Sequence, residues 1–387
     1  MAVLRFSVVM ATWQGERFLP KQLASLLGQT RLPDELIVVD DRSEDRTLEI
    51  IDAFAASSPF PVHLIRSEVR RGSTVAFGIG IAAAAGDLIA LADQDDLWLP
   101  QKLARLEAAF LENPTTTFAF SDALVIDEND VADTTSMWQV RKFTPALQER
   151  VRARPFAEIA HRFLATGCTI AFRADLRDVV LPFPTNLSTS IPAMIHDRWL
   201  SIVLSGIGSV AVVDEPLVAY RVHATQQVGL SNISAAKPPV QRYLGRLLTR
   251  RRGEGSPRLY QLAHLIEARQ RLAASDLASE ASLAEIDAVI RHQSWRCQMK
   301  PRHLARLVPI ARELALGHYH EYSRGWSSAV FDLVERHDLS APDSRPAVRR
   351  AETTAPLDLT RLNHLREPTA PDRSCRMTPR GFPQPSR

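Results

Sequence analysis

Apolar and polar positions alternate along the first hundred residues in a strand-and-helix rhythm. Phe6 to Ala11, Leu36 to Val39, Val62 to Ile65 and Leu88 to Ala92 are short apolar runs of strand length. Such runs, bounded by turn residues, predict buried strands. Between them, Phe18 to Leu27 carries helical periodicity with Pro20 near its start. Ser43-Glu44-Asp45 opens a second helical stretch whose apolar face is Leu48, Ile50, Ile51 and Phe54, and Thr74 to Ala85 is a third. Strand alternating with helix predicts a mostly parallel, doubly wound α/β sheet. Ligands of open α/β sheets bind beyond the C-terminal strand ends. Here the second strand ends in Asp40-Asp41 and the fourth runs into Asp93-Gln94-Asp95-Asp96.

Past Pro100 the rhythm loosens. Thr117 to Phe120, Cys168 to Phe172 and Val210 to Val213 predict further strands, and Ile195 to Ser205 predicts a helix opening on His196-Asp197. Asp127 to Arg154 is polar and has no clear assignment. Gln241 to about Val334 is helical in character, with Arg and Leu interleaved. From Leu339 to Arg387 the chain is rich in Pro, Arg, Ser and Thr, which predicts a disordered tail. The expected organisation is an α/β domain over 1–235, a helical extension over 236–338 and the tail over 339–387.

Composition narrows the picture only a little. At 387 residues, with 45% hydrophobic and 24% charged positions, the chain can bury a sizeable core. A net charge of +3 is too mild to call for a nucleic-acid partner. Cys168, Cys297 and Cys375 are odd in number and widely spaced, which favours a reducing compartment over a disulfide framework. The N-terminus lacks a signal-peptide pattern, and the apolar stretch from Thr74 to Ala92 is interrupted by Gly86-Asp87. A cytoplasmic location is expected. The basic, amphipathic stretch Arg242 to Arg252, with Leu244, Leu247 and Leu248, could touch an anionic membrane surface or serve as a solvated helix face.

The candidate chemistry sits in the acidic run. Asp93, Asp95 and Asp96 repel one another unless a cation neutralises them, and hard oxygen ligands suit Mg²⁺ or Mn²⁺. The alternative is a solvated acidic turn capping the next helix.

Six segments together resemble the family 2 inverting glycosyltransferases of the GT-A fold. They are Ser7 to Thr30, Glu35 to Ile51, Gly86 to Leu103, Thr166 to Arg173, Ile195 to Trp199 and Asp214 to Gly229, in the family's order and spacing. The segment Gly317 to Leu333 looks like the helical end of some bacterial members, and the Asp-Gln-Asp-Asp-x-Trp run is similar to rhamnosyltransferase-like enzymes of surface-polysaccharide assembly. The resemblance implies a GT-A-like domain with nucleotide-sugar binding over about 1–125 and the acceptor side and base over 126–235. It implies transfer, with inversion, from a UDP- or dTDP-linked sugar to a hydroxyl of a glycan or lipid-linked acceptor.

The residue roles follow from the same resemblance. Asp95 would ligate the metal, with Asp93 and Asp96 supporting it or binding the ribose, and Ala11 would border the nucleotide. Asp41 would accept a hydrogen bond from the imide N–H of uracil or thymine, whereas Asp40 is better read as a cap. Asp197 is the candidate general base. Arg221, His223 and Gln227 belong to a segment that folds over the donor in similar enzymes, with Arg221 facing phosphate and His223 the metal. Arg70 and Arg71 could approach the donor, and Trp98 and Trp199 could stack under a sugar or belong to the core. Gly167 is expected to line the acceptor side, and Cys168 to be a small buried hydrophobe.

Four positions depart from the family's pattern. Gln14 stands where Asn is common, Arg42 where Gly is common, and Ala76 and Ile79 where Asn and a basic residue are common. Arg42 matters most, because Gly permits backbone conformations that Arg resists. These departures sustain an alternative, a noncatalytic nucleotide-sugar-binding module. A further alternative is a nicotinamide oxidoreductase, suggested by the fingerprint-like Gly78-Ile79-Gly80-Ile81-Ala82-Ala83.

Overall fold

In the computed structural model, residues 3–184, 195–224, 226, 257–299 and 303–334 are described. The expected rhythm is present: β1 (Phe6–Thr12), α1 (Leu19–Leu27), β2 (Glu35–Asp40), α2 (Thr47–Ser57), β3 (Val62–Arg66), α3 (Ser73–Ala83) and β4 (Leu88–Asp93). After β4 come β5 (Leu97–Trp98), α4 (Lys102–Glu112), β6 (Thr116–Ile126), β7 (Ala132–Ser136), α5 (Met137–Arg141), α6 (Pro145–Ala153) and α7 (Pro155–Ile159). Then follow β8 (Ile170–Arg173), α8 (Arg177–Val180), α9 (His196–Ser205) and β9 (Ser209–Arg221). The strands form one sheet in the order β3-β2-β1-β4-β8-β6-β9-β5, with β7 paired to β6. β3, β2, β1 and β4 run parallel, β8 is antiparallel between β4 and β6, and β9 is parallel to β6. The fold is therefore α/β with a mixed, mostly parallel sheet.

Alternation along the strands sorts side chains onto two faces. Val9, Ile37, Val39, Ile89 and Leu91 face Phe77 and Ile81 of α3 and the apolar side of α9. Val8, Met10, Leu36, Val38 and Ala90 face Leu19, Leu23 and Leu26 of α1, and Leu103, Leu106 and Phe110 of α4. C-terminal to a gap in the described residues lie α10 (Pro257–Ser275), α11 (Glu280–Cys297), α12 (Leu307–Ala315), α13 (His318–Tyr322) and α14 (Trp326–Val334). Leu265, Ala268 and Leu272 of α10, and Ile286 and Val289 of α11, join the first face's core. Among the described residues no helix is long and apolar enough to cross a membrane. The basic stretch Arg242 to Arg252, Gln227 and the tail beyond 338 lie outside the described residues.

Several expectations need correction. α2 begins at Thr47, not at Ser43. The intervening turn is held open by side chains: Gln14 Oε1 accepts the Glu44 and Asp45 N–H groups at 3.1 Å each, and Asp40 Oδ1 accepts Ser43 N at 2.8 Å. The strand expected over Cys168 to Phe172 starts two residues later. Gly167–Thr169 is a 3₁₀ turn, and β8 starts at Ile170. The unassigned polar stretch contains a hairpin strand and two helices, α5 closed at its start by a Ser136/Gln139 capping box and α6 by the Thr144 side chain.

The fingerprint-like glycines lie inside α3, not in a strand-to-helix turn. A Cβ on Gly80 would fall 2.4 Å from Val9 Cγ1, so this glycine lets α3 press onto β1. That removes the structural basis for a nicotinamide site there.

Candidate active site

Register brings the chemistry together. Ala11 pairs with Val39 on one side and with Asp93 on the other, and Thr12 pairs with Asp40. The ends of β1, β2 and β4 thus share one edge, where Ala11, Asp41 and Asp93 lie. Gln94 staples this edge: its Nε2 donates to Trp13 O and its Oε1 accepts Trp13 N, both at 2.9 Å. A Cβ on Gly15 would lie 2.5 Å from Gln94 Oε1, so the first loop approaches the acidic run closely only because residue 15 has no side chain.

Within the acidic run the three carboxylates have different surroundings. Burial, then repulsion from Asp96, Asp95 and Asp197, pushes the Asp93 carboxyl well above its usual range. Burial and the Asp95 charge raise Asp96 to about 7. Asp96 Oδ1 accepts the Arg221 backbone N–H at 2.8 Å. Asp95 Oδ2 meets His223 Nε2 at 2.8 Å, and the His223 ring lies 4.9 Å from that of Phe18. Beneath the run sits Lys102, 0% exposed, its Nζ 2.5 Å from the Cys168 carbonyl and 3.3 Å from the Trp98 ring centroid. Burial lowers this ammonium to about 7, against the pull of Cys168, Asp96 and Asp93.

These residues fit a divalent ion. A half-buried and a fully buried carboxylate, both pushed upward, mark a place short of positive charge, and Asp93, Asp95 and Asp96 would supply the hard oxygens that Mg²⁺ or Mn²⁺ takes. His223, already against Asp95, is in reach of the same ion. The ligand atoms of Asp93, Asp96 and Cys168 also lie within 4.8 Å of one another. The Cys168 thiol is held far above its usual range by burial and the two carboxylates, so it remains protonated.

Across the crevice Asp197 opens α9, 2% exposed. Its Oδ2 accepts Gly167 N at 3.1 Å and its Oδ1 accepts Arg198 N at 2.6 Å. Burial raises it to about 6, although both hydrogen bonds and the Arg141 and Arg198 charges oppose the rise. Its neighbour His196 stacks on Phe77 at 4.1 Å, and burial drives its imidazole down to about 3. The structure therefore brings Ala11, Asp93, Asp95, Asp96 and His223 to one sheet edge, with Asp197 near enough for its charge to act on Asp93.

Other expected residues are placed differently. Arg221 does not face the crevice: it is 0% exposed, with Nε 2.6 Å from the Asp95 carbonyl and Nη1 3.0 Å from the Asp127 carbonyl and 2.5 Å from Asp130 Oδ1. Nε and Nη1 of the guanidinium hold the acidic loop, while Nη2 is buried without a hydrogen-bond partner among the described residues. Asp41 accepts Arg71 N and Gly72 N, both at 2.7 Å, on separate oxygens, leaving each oxygen a further lone pair for a base. Arg70 lies over the Trp13 ring at 3.4 Å. Trp98 and Trp199 are core residues, the latter donating Nε1–H to Val180 O at 2.9 Å. Neither offers a face to a sugar.

Gln94 and Lys102 are the functional residues that sequence reading passed over. Lys102 had a signal: it shares the 102–106–110 stripe of α4 with Leu106 and Phe110, where a solvated lysine would not be placed.

Two of the family departures coincide with backbone strain. Gln14 (φ 49°) and Arg42 (φ 66°) both occupy the left-handed region. Arg42→Gly should therefore stabilise the protein by about 0.5–1 kcal/mol, read as a shift of the urea midpoint at unchanged slope. A loss of stability would show that the Arg42 side chain, not its backbone, matters.

An acidic crevice at the C-terminal edge of a mostly parallel sheet, faced by a buried aspartate at a helix start, defines a GT-A-like α/β protein. Residues 7–178, somewhat less than half of the chain, match the family described as Glycosyl transferase family 2. An uncharacterized glycosyltransferase of Nostoc is 26% identical over 228 residues, covering 57% of this chain and 65% of that protein. An Escherichia coli UDP-Glc:α-D-GlcNAc-diphosphoundecaprenol β-1,3-glucosyltransferase is 29% identical over 125 residues, or 32% of this chain and 48% of that one. The chain thus spans less than two thirds of the length of these relatives. The crystal structure of S. aureus TarS 1-349 with UDP-GlcNAc aligns with a TM-score of 0.50 at 17% identity, covering 85% of this chain and 82% of that one.

Proposed function

We propose that the protein transfers a hexosyl or deoxyhexosyl group, with inversion, from a UDP- or dTDP-linked donor to a hydroxyl of a glycan or lipid-linked acceptor. The observation that carries this reading is Asp197, buried, raised to about 6 and near enough to Asp93 for the two charges to interact. A carboxylate so raised remains ionised at neutral pH yet is more basic than a solvated one. It would take the acceptor proton as the acceptor oxygen attacks the anomeric carbon from the side opposite the leaving diphosphate. Gly167 N and Arg198 N fix the two carboxylate oxygens, so the base keeps one orientation.

A divalent cation held by Asp95 and His223, with Asp93 and Asp96 beside it, would supply Lewis-acid stabilisation of the diphosphate. Asp41 and Ala11, together at the ends of β2 and β1, would border the nucleotide base. Arg221 acts through the loop it holds and not on phosphate directly. The name of the E. coli relative, which specifies a diphosphoundecaprenol-linked acceptor, supports a lipid-linked acceptor. The similarity of the acidic run to rhamnosyltransferase-like enzymes supports including dTDP-deoxyhexoses. A noncatalytic binding module would have no use for a positioned base beside the donor crevice.

The test is a panel of UDP- and dTDP-sugars assayed for release of the nucleoside diphosphate with Mn²⁺. One or more donors should turn over, and chelation with EDTA should lower release at least ~10-fold. Absence of both turnover and donor binding across the panel would end the proposal.

A further inference from the structure

Far along the chain from the acidic run, the C-terminal helices gather a second set of ligating side chains. His292 on α11, Glu313 on α12 and His318 at the start of α13 offer ligand atoms that all lie within 4.8 Å of one another. Both imidazoles direct Nδ1 at the same carboxylate oxygen: Glu313 Oε2 is 3.1 Å from His292 Nδ1 and 3.0 Å from His318 Nδ1. Two imidazole nitrogens and one carboxylate oxygen, each from a different helix, form the donor set of three-ligand zinc sites.

The surroundings favour a bound ion over a simple hydrogen-bonded triad. The His292 side chain is 1% exposed and that of His318 is 38% exposed, so the cluster is closed on one side and open to entry on the other. The rings of Trp295 and Tyr319 lie 6.1 and 5.2 Å from His292, and Tyr322 lies 5.8 Å from His318, giving an aromatic wall. The nearest buried cation, Arg296, is neutralised by Asp332 through bonds of 2.7 and 3.0 Å.

We infer that His292, Glu313 and His318 form a zinc site with an open fourth position, which braces α11, α12 and α13 together. Ligand atoms of a tetrahedral zinc lie about 3.3–3.5 Å apart, so separations of 3.0 and 3.1 Å need to open by only a few tenths of an ångström. To ligate through Nδ1 each imidazole would carry its proton on Nε2, with no net proton released; His292 Nε2 is buried without a hydrogen-bond partner among the described residues, so its N–H would stay unpaired. The brace reaches the catalytic unit, because Arg154, between α6 and α7, contacts Glu285 on α11 at 2.8 Å and Glu321 on α13 at 2.6 Å. The inference is independent of the proposed sugar transfer.

The experiment uses untagged full-length protein, stripped with chelator and held in excess Mg²⁺ to occupy the acidic crevice. Zn²⁺ should bind at one equivalent by metal analysis, and Co²⁺ should give the intense visible bands of a tetrahedral site. The melting temperature should rise by roughly 5 °C at a hundredfold excess over the dissociation constant. His318→Ala and Glu313→Gln should lose the equivalent, the cobalt bands and the shift, with unchanged circular dichroism. Asp95→Asn should retain all three. No zinc bound under these conditions, or zinc bound equally by His318→Ala, overturns the inference. Should a variant unfold, the cobalt spectrum of the folded His318→Gln protein decides: unchanged bands refute the site and altered bands support it.

Discussion

Asp197→Asn should reduce sugar transfer by about 10²–10⁴-fold while leaving donor affinity unchanged. The amide preserves the shape of the carboxylate at the start of α9 but cannot take a proton from the acceptor hydroxyl. Turnover at the wild-type rate would remove Asp197 from the mechanism. The pH profile gives a second handle. Asp197 titrates near 6 in the folded protein, so kcat/KM of the wild type should fall as pH drops through that region. Stability runs the other way. The folded carboxyl is raised from 3.8 to about 6, so it contributes stability below about pH 4 that is lost as pH rises through 6. The Asn amide removes the buried charge, but its NH2 cannot accept from Gly167 N or Arg198 N, a loss of about 1–3 kcal/mol at every pH. Relative to the wild type, the variant should therefore gain stability as pH rises from 4 to 8. Inactivity combined with retained folding separates loss of the base from collapse of the site.

The largest loss of stability is expected at Arg221. Removing its side chain strands the carbonyls of Asp95 and Asp127 and takes one partner from Asp130. Breaking a buried ionic network from one side costs about 3–5 kcal/mol. Arg221→Ala should therefore melt many degrees lower, and its activity should fall through the displaced Asp95. Arg221→Lys should recover little, because a single ammonium cannot reproduce the planar fork that reaches three acceptors. If the side chain instead held donor phosphate, the variant would show a raised donor KM at an unchanged melting temperature.

The two residues also show how far the sequence could be read. The half of the sheet from β1 to β4 was legible because each strand is a continuous apolar run ending at a polar loop, and local pattern suffices for that. β6 and β9 were read too short. Their pairing shifts register at Ser121/Asp122 and Asp122/Ala123, opposite Pro216, where polar residues and a proline interrupt the apolar pattern without ending the strands. The place of Asp197 at a helix start is a local feature that the sequence shows, whereas its role as base is a proposal that the pattern alone does not carry, since an aspartate there can equally be a cap. The position of Arg221 could not be read, since its guanidinium meets Asp95 and Asp127 across 126 and 94 residues of chain. A charge is visible in sequence, but the partner that consumes it is set by tertiary contacts. The tryptophans make the same point: nothing around Trp98 announces that a buried lysine lies on its ring.

Lys102, sealed beneath the acidic run, has a consequence for the resting polypeptide. Burial pulls its ammonium down and pushes Asp96 up, each to about 7, while each charge favours the ionised form of the other. An internal positive group beneath the loop thus offsets part of the mutual repulsion of the carboxylates from within the chain, so chelator-treated protein should stay folded and resist proteases.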